Sequence, residues 1–396
     1  MIACYAWTDT QLINLVQVVE TSNLKNSFDL FVCMLDRISL SLLNQIKDEE
    51  LFLNIYEVYP VNYTNDWRLF KKIPFLFGII STIRRKKYYE NYYSNLIGTK
   101  KYIKLITAGY WGDSLFLLKH LCSTNPNIEV ELVEEGNLSY CSSKARLCQA
   151  KPFGCTTTAK DVISSNIIKA LIFGKNYLKI DKLVKRIYFY EPKAAKVGSD
   201  CQCIEICKIL SNSDNAAHRI LNNISNNLDL TIDTKINAFF FLNPLIPGYE
   251  DDHVITFSIL NLVLECLGKE HVMVKPHPEM LKEVESEVLF KEDIQIESKE
   301  YPFEAMAARF DLTNKILISR NTSCLLLAKF MFDYEPTILF TYRLYERYAF
   351  DGEPDLEWYV KGLTVTYKNK EKILVPNSMD DLKNMLAVIK ETVNVK

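Results

Sequence analysis

The 396-residue chain has no long apolar run, no metal-ligand spacing and no glycine-rich phosphate cradle. No stretch reaches the roughly 18 apolar residues of a membrane-spanning helix, so nothing is expected to cross a bilayer. The opening Met1-Ile2-Ala3-Cys4-Tyr5-Ala6-Trp7 has neither a basic segment nor a cleavage site, which points to a cytoplasmic protein. The eleven cysteines are odd in number, and several sit in apolar runs (Cys4, Cys33, Cys266, Cys324). Neither Cys201, Cys203 and Cys207 nor Cys141, Cys148 and Cys155 has a zinc spacing, so structural thiols are expected. Walker and dinucleotide fingerprints are missing, as is a serine elbow. Aspartates never stand as Asp-x-Asp, the pair with which many sugar-nucleotide enzymes hold a divalent ion. No metal and no cofactor are expected. The net charge of −2 supplies no global pull towards nucleic acid.

What is present is ordinary in bulk and specific in detail. A hydrophobic content of 48% and a charged content of 24% suit a soluble globular protein. The length suggests two domains of about 150–200 residues. Histidine is scarce, five in all, and one stands between two prolines in Val272-Met273-Val274-Lys275-Pro276-His277-Pro278. The apolar residues predict a buried strand, and the prolines forbid its continuation. An imidazole at the carboxyl end of such a strand stands where open α/β sheets bind ligands; a plain rigid turn is the alternative.

Along the chain, predicted strands and helices alternate. Ile2 to Trp7 reads as a strand, Thr8-Asp9-Thr10 as a cap, and Gln11 to Val19 as a helix. Further strands are predicted at residues 28–34, 51–59, 102–108, 128–133 and 187–190, which argues for a doubly wound parallel sheet. The strand at 128–133 ends in Glu134-Glu135-Gly136, two carboxylates of which one should face the crevice. Residues 191–235 turn polar and are read as the junction, giving domains at 1–190 and 191–376. The helix within 377–396 is expected to fold back onto the first domain. Residues 68–93 break the rhythm: Arg68, Lys71 and Lys72 precede an apolar segment, and Arg84-Arg85-Lys86-Lys87 and four tyrosines follow it. These flanks suit a membrane-surface helix, hence peripheral contact with the inner face of the membrane.

In the second half, predicted strands end in Asn243-Pro244, in Pro276-His277-Pro278 and in Arg320-Asn321-Thr322-Ser323, with Glu304 between the last two. Thr322 and Ser323 are expected to begin a helix, where hydroxyls and free N–H groups favour a phosphate. A phosphate site without a metal signature fits two similar domains facing a central cleft, one for a nucleotide and one for an acceptor.

Glu134-Glu135-Gly136, Lys275-Pro276-His277-Pro278 and Thr322-Ser323, in that order, resemble the acidic-acidic-glycine, His-Pro and Ser/Thr-Ser series of bacterial sialyltransferases. The family is glycosyltransferase family 52, the lipooligosaccharide sialyltransferases, related to family 80 and to polysialyltransferases. Thr8 to Asn14, Tyr190-Glu191-Pro192 and Phe241-Leu242-Asn243-Pro244-Leu245 resemble it as well. The resemblance implies a GT-B fold and an inverting, metal-independent transfer of sialic acid from CMP-sialic acid to a terminal sugar, most often galactose. The acceptor would be a surface glycan, lipooligosaccharide or capsular oligosaccharide, and the protein a homodimer.

It further implies that His277, framed by Pro276 and Pro278, serves the departing CMP phosphate. Thr322 and Ser323 would hold that phosphate beside Asn321 and Asn243, with Glu304 on the ribose and Lys275 near the cytidine. Thr8, Gln11, Glu134 and Gly136 would lie on the acceptor side. The general base is either Glu135 or an acid after the Asn243 turn, Asp251 or Asp252. Transfer of another CMP- or CDP-activated group, such as polyol phosphate, and a non-catalytic GT-B subunit of a capsule assembly complex are the other readings.

Overall fold

The structure is a computed structural model that describes residues 1–22, 24, 27–34, 38–61, 74–110, 113–141, 144–148, 159–197, 201–211, 214–227, 233–243, 250–277, 295–296, 302–345 and 355–392. It has two α/β units, residues 1–206 and 207–396, each built on its own parallel sheet.

The first sheet has seven strands: β1 (Ile2–Ala6), β2 (Phe28–Cys33), β3 (Asn54–Val58), β4 (Lys104–Thr107), β5 (Glu129–Val133), β6 (Val184–Phe189) and β7 (Gln202–Glu205). Their spatial order is β3-β2-β1-β4-β5-β6-β7. All residues of β1 and β2 are buried, because helices cover both faces of a parallel sheet; their sequences accordingly do not alternate. Strands run outwards from β1 to β3, and β4 then returns to the other side of β1. The order therefore reverses at the carboxyl ends of β1 and β4, the place where doubly wound sheets bind ligands.

The second sheet repeats this plan with β8 (Ala238–Phe241), β9 (Val272–Lys275), β10 (Gln295–Ile296), β11 (Ile316–Ser319), β12 (Thr337–Phe340) and β13 (Ile373–Leu374), in the order β10-β9-β8-β11-β12-β13. Its reversal falls between β8 and β11.

The helices used below are α1 (Asp9–Glu20), α2 (Leu40–Asp48), α3 (Pro74–Ile97), α4 (Ser114–Thr124), α5 (Asn137–Cys141), α6 (Ala159–Phe173), α7 (Ala216–Asn227), α8 (Glu250–Leu267), α9 (Phe303–Arg309), α10 (Cys324–Phe330), α11 (Asp355–Thr366) and α12 (Met379–Thr392).

Three expectations change. The polar stretch after Glu191 is no linker: β7 pairs in register with β6, Arg186 opposite Gln202, and α7 buries Ala216, Ile220 and Ile224. The units divide between Ile206 and Cys207, later than the expected 190/191. A half-exposed edge strand carries polar residues, and this is why it read as a junction.

The last helix also differs. In α12, Leu382, Leu386 and Ile389 recur at helical spacing and enter the second unit's own core with Ile259, Val263 and Leu267 of α8. Each buried aliphatic side chain contributes about 1.5–3 kcal/mol, so this face belongs to the second unit rather than to the first.

The third concerns α3. Its Tyr89 and Tyr93 are buried, with Tyr89 stacked on Phe116 of α4 at 5.0 Å between centroids. Arg85 forms an ion pair with the buried Asp113, and Lys86 donates to the Leu171 carbonyl at 3.1 Å. The basic run is thus split, and only Arg84 and Lys87 are exposed. Arg68, Lys71 and Lys72 lie outside the described residues. No helix among the described residues is long and apolar enough to cross a membrane. None of the cysteines described forms a disulfide.

Candidate active site

In the first unit the chain leaves β1 through Trp7 and Thr8. Thr8 caps α1, its hydroxyl accepting from the Gln11 backbone N–H at 3.3 Å. The Gln11 side chain folds back over the strand end, its Oε1 accepting from the Trp7 backbone N–H at 3.0 Å. Its amide Nε2 then donates to Glu135 Oε1 at 2.7 Å, and the Trp7 indole donates to the same oxygen at 3.2 Å.

Glu135 reaches this point from β5 by a turn at Gly136, whose φ of 107° suits glycine and strains any larger residue. The Glu135 backbone N–H is held by Ser139 Oγ of α5 at 2.8 Å. A half-buried carboxylate thus stands near the first reversal point, fixed by two neutral donors. Beside it Trp7, Gln11, Gly109 and Ser114 line a shallow dent too small for a water molecule.

Glu134 points the other way, because successive residues at a strand end face opposite sides. It is fully buried, and its Oε2 accepts from the Tyr140 hydroxyl and from the Tyr190 N–H at 3.3 Å. Its backbone carbonyl takes Asn14 Nδ2 at 2.8 Å, and Tyr190 in turn donates to Asn14 Oδ1 at 3.0 Å. Burial pushes the Glu134 carboxyl up from the usual 4.5 to about 8 against the lowering effect of its donors, so it is largely neutral at pH 7. The two adjacent acids therefore differ in kind, one buried in a hydrogen-bonded support and the other at the surface of the site.

In the second unit β9, β8 and β11 end side by side. Lys275 closes β9, Pro276 is buried and His277 is half-buried; Pro278 lies outside the described residues. Asn243 donates to Asn321 Oδ1 at 2.7 Å, which ties the ends of β8 and β11 together at the second reversal point. Ser319 supports the pair, its hydroxyl 2.9 Å from Asn243 Oδ1 and 3.0 Å from the Phe241 carbonyl.

Thr322 and Ser323 follow. They precede α10 instead of forming its first turn, and the Ser323 side chain makes no capping bond. Among the described residues neither hydroxyl is engaged, whereas the Thr322 carbonyl is held by the Tyr359 hydroxyl at 3.0 Å. The backbone is fixed and the hydroxyls are available.

Asp252 lies inside α8 rather than capping it. Its Oδ2 accepts from Arg320 Nη1 at 2.6 Å, and that guanidinium lies 4.2 Å from the Tyr345 ring centre. Asp251 precedes it in the helix, its side chain outside the described residues. Glu304, in the first turn of α9, is buried beneath the edge, close to where Phe303 packs on Phe241 at 5.3 Å.

The structure thus groups Trp7, Gln11 and Glu135 at one reversal point and Ser319, Asn243 and Asn321 at the other. Asn14, Ser319 and Tyr359 were not anticipated. The signal for Asn14 was present: Gln11, Asn14 and Gln17 recur every three residues, all three buried, in a helix whose other buried residues are apolar. Among the described residues no group of three His, Cys, Asp or Glu side chains could hold a metal ion. A cavity of about 710 Å³ lies at the opposite edge of the second sheet, lined by none of these groups.

No protein-family model matches the chain, and no curated protein matches it. Solved structures resemble it distantly. A spinosyn rhamnosyltransferase complexed with thymidine diphosphate is 8% identical, with 100% of this chain and 91% of that chain covered and a TM-score of 0.47. A Phytolacca americana UGT2 complexed with UDP-2fluoro-glucose and pterostilbene is 11% identical, with 100% and 90% covered and a TM-score of 0.48. A UDP-GlcNAc 2-epimerase from Methanocaldococcus jannaschii is 11% identical, with 98% and 99% covered and a TM-score of 0.45. Likeness at this level carries no argument about activity.

Proposed function

We propose that the chain is an inverting, metal-independent glycosyltransferase that moves sialic acid from CMP-sialic acid to a terminal sugar, galactose, of a bacterial surface glycan. The observation that favours this reading is Glu135 held by Gln11 and Trp7 at the first reversal point. A carboxylate fixed by two donors keeps its aim, which a general base requires.

In this reading Glu135 takes the proton of the acceptor hydroxyl as its oxygen attacks the anomeric carbon. The bond from that carbon to the CMP phosphate breaks on the opposite side, which inverts the centre. His277 neutralises the departing phosphate through its imidazole. Thr322 and Ser323 hold the phosphate with their unengaged hydroxyls, beside Asn243 and Asn321. Lys275 lies towards the cytidine. Burial favours a supporting role for Glu304 beneath the site over direct contact with the ribose.

Of the three candidate bases, Glu135 is favoured over Asp252, and the Asp251 side chain lies outside the described residues. The Asp252 carboxylate is already engaged in an ion pair with Arg320 at 2.6 Å. Arg84 and Lys87 remain as the cations for peripheral contact with an anionic membrane.

Calorimetry of the full chain against CMP, CDP and UDP tests the donor class, and transfer from CMP-sialic acid to a galactose-terminated acceptor tests the reaction. CMP should bind more tightly than UDP. Tight UDP binding without CMP binding would end the sialyltransferase reading.

A further inference from the structure

The cavity of about 710 Å³ in the second unit lies at the amino edge of its sheet, where Asn237, Lys315 and Thr337 lead into β8, β11 and β12. Its size falls within the range of small-molecule sites, about 300–1,000 Å³. Two lysines line it, and the use each makes of its ammonium group is informative. Lys315 Nζ donates to the Ile236 carbonyl at 2.5 Å, and Lys372 Nζ to the carbonyls of Thr313 at 3.1 Å and Glu335 at 2.6 Å. These acceptors are neutral. Among the described residues neither lysine has an ion pair, and the nearby Glu335 carboxylate is taken by Lys329 at 2.6 Å.

An ammonium has three donors, so two remain on Lys315 and one on Lys372. Burial pushes the Lys315 ammonium below its ordinary pKa, and no carboxylate offsets that effect. One carboxylate, Glu371, shares the lining, leaving an excess of one positive charge. A half-buried cation without a counter-charge is a standing cost that a bound anion removes.

The rest of the lining limits the kind of anion. The amides of Asn314 and Asn384 offer donors and acceptors to hydroxyl groups. Across from β11, α12 presents Met385 and Val388, the latter 62% exposed although apolar. A sugar ring has hydroxyls around its rim and C–H groups on its face, and it uses both kinds of wall. Inorganic phosphate uses only the lysines, and a neutral sugar leaves them uncompensated.

We propose that this amino-edge cavity is a second ligand site, separate from the groups at the carboxyl edge, and that it takes an anionic saccharide. The test is calorimetric titration of the full-length protein at low salt with glucose 6-phosphate, glucuronate, glucose and inorganic phosphate. At least one charged sugar should bind with a Kd near or below about 1 mM, and glucose and phosphate should each bind at least about tenfold more weakly. Asn384→Glu sets a carboxylate beside the lysines, and Val388→Trp fills the cavity; either should weaken that binding about tenfold or more. Both positions are exposed on α12, so an unchanged melting temperature shows that the fold stands. The proposal is overturned if neither charged sugar binds, if glucose or phosphate binds as tightly as the charged sugar, or if both variants bind like the parent.

Discussion

Gln11 and Glu135, 124 positions apart in sequence, meet at 2.7 Å, the amide of one donating to the carboxylate of the other. This bond joins the first turn of α1 to the turn after β5 and fixes which of two adjacent acids faces the first reversal point. Glu135→Gln keeps the shape and removes the proton acceptor. Sugar transfer should fall by roughly 10²–10⁴-fold while CMP affinity stays near parental. Gln11→Leu should lower the rate constant for transfer with the same indifference to CMP. If Glu135→Gln transfers normally while Asp252→Asn is inactive, the base belongs to the second unit.

His277→Ala is expected to reduce transfer by roughly 10²–10⁴-fold and to weaken CMP binding far less. The proline-framed strand end gives the motive. Activity within a few-fold of the parent removes this histidine from the reaction.

Glu134 makes stability depend on pH with a definite sign. Its folded pKa of about 8 exceeds the ordinary 4.5, so the folded protein keeps a proton that the unfolded chain releases. Between those values each rise in pH favours unfolding; below the lower value the contribution is complete and level. Glu134→Gln should flatten the decline. Melting curves of both proteins from about pH 5 to about pH 8.5 measure the difference, on the order of a few kcal/mol. Parallel curves would show that Glu134 ionises freely in the folded state.

Arg85 and its neighbours should separate cleanly. Arg85→Met strands the buried Asp113 carboxylate and should cost about 3 kcal/mol, at the low end because the arginine side chain retains 30% exposure. Neutralising Arg84 and Lys87 together should leave urea stability within about 0.5 kcal/mol. The same pair should weaken binding to anionic vesicles by about 1 kcal/mol per cation. Vesicle binding equal to that of the parent would make α3 an ordinary packed helix.

Ser319→Ala removes the hydroxyl that holds Asn243 against Asn321. CMP affinity should drop by about 1–3 kcal/mol, with transfer reduced at low donor and recovered at saturation. A variant with parental CMP affinity would show that the Asn243–Asn321 tie stands without its support.

The strand runs were legible because parallel strands buried on both faces read as continuous apolar stretches, as Ile2–Ala6 and Ile316–Ser319 do. The carboxyl-edge stretches followed, since prolines and polar residues mark where such strands stop. Glu135 rather than Glu134 came from the family resemblance and not from the residues themselves, because the choice depends on Gly136, on Tyr140 and on Tyr190, the last 56 positions from Glu134. β7 was hidden because two flanking polar residues outweighed Cys203 and Ile204 in so short a strand. For α3 a signal existed. Arg85, Tyr89 and Tyr93 recur at four-residue spacing, one face of a helix, which already set them apart from Arg84 and Lys87. The partner Asp113 could not be read, because an ion pair over 28 positions leaves no local pattern.

The placement of β1 and β8 at the centres of their sheets bears on how the chain can be made. β1 pairs with β2 and β4, so the middle of the first sheet is available once residue 107 has left the ribosome, and its last strand by residue 205. β8 must wait for β11, and the α8 face for Leu382, Leu386 and Ile389 of the final helix. The first unit can therefore fold during synthesis, while the second holds its apolar α8 face open until translation is nearly complete. That interval is where this chain is most exposed to misassociation with its neighbours.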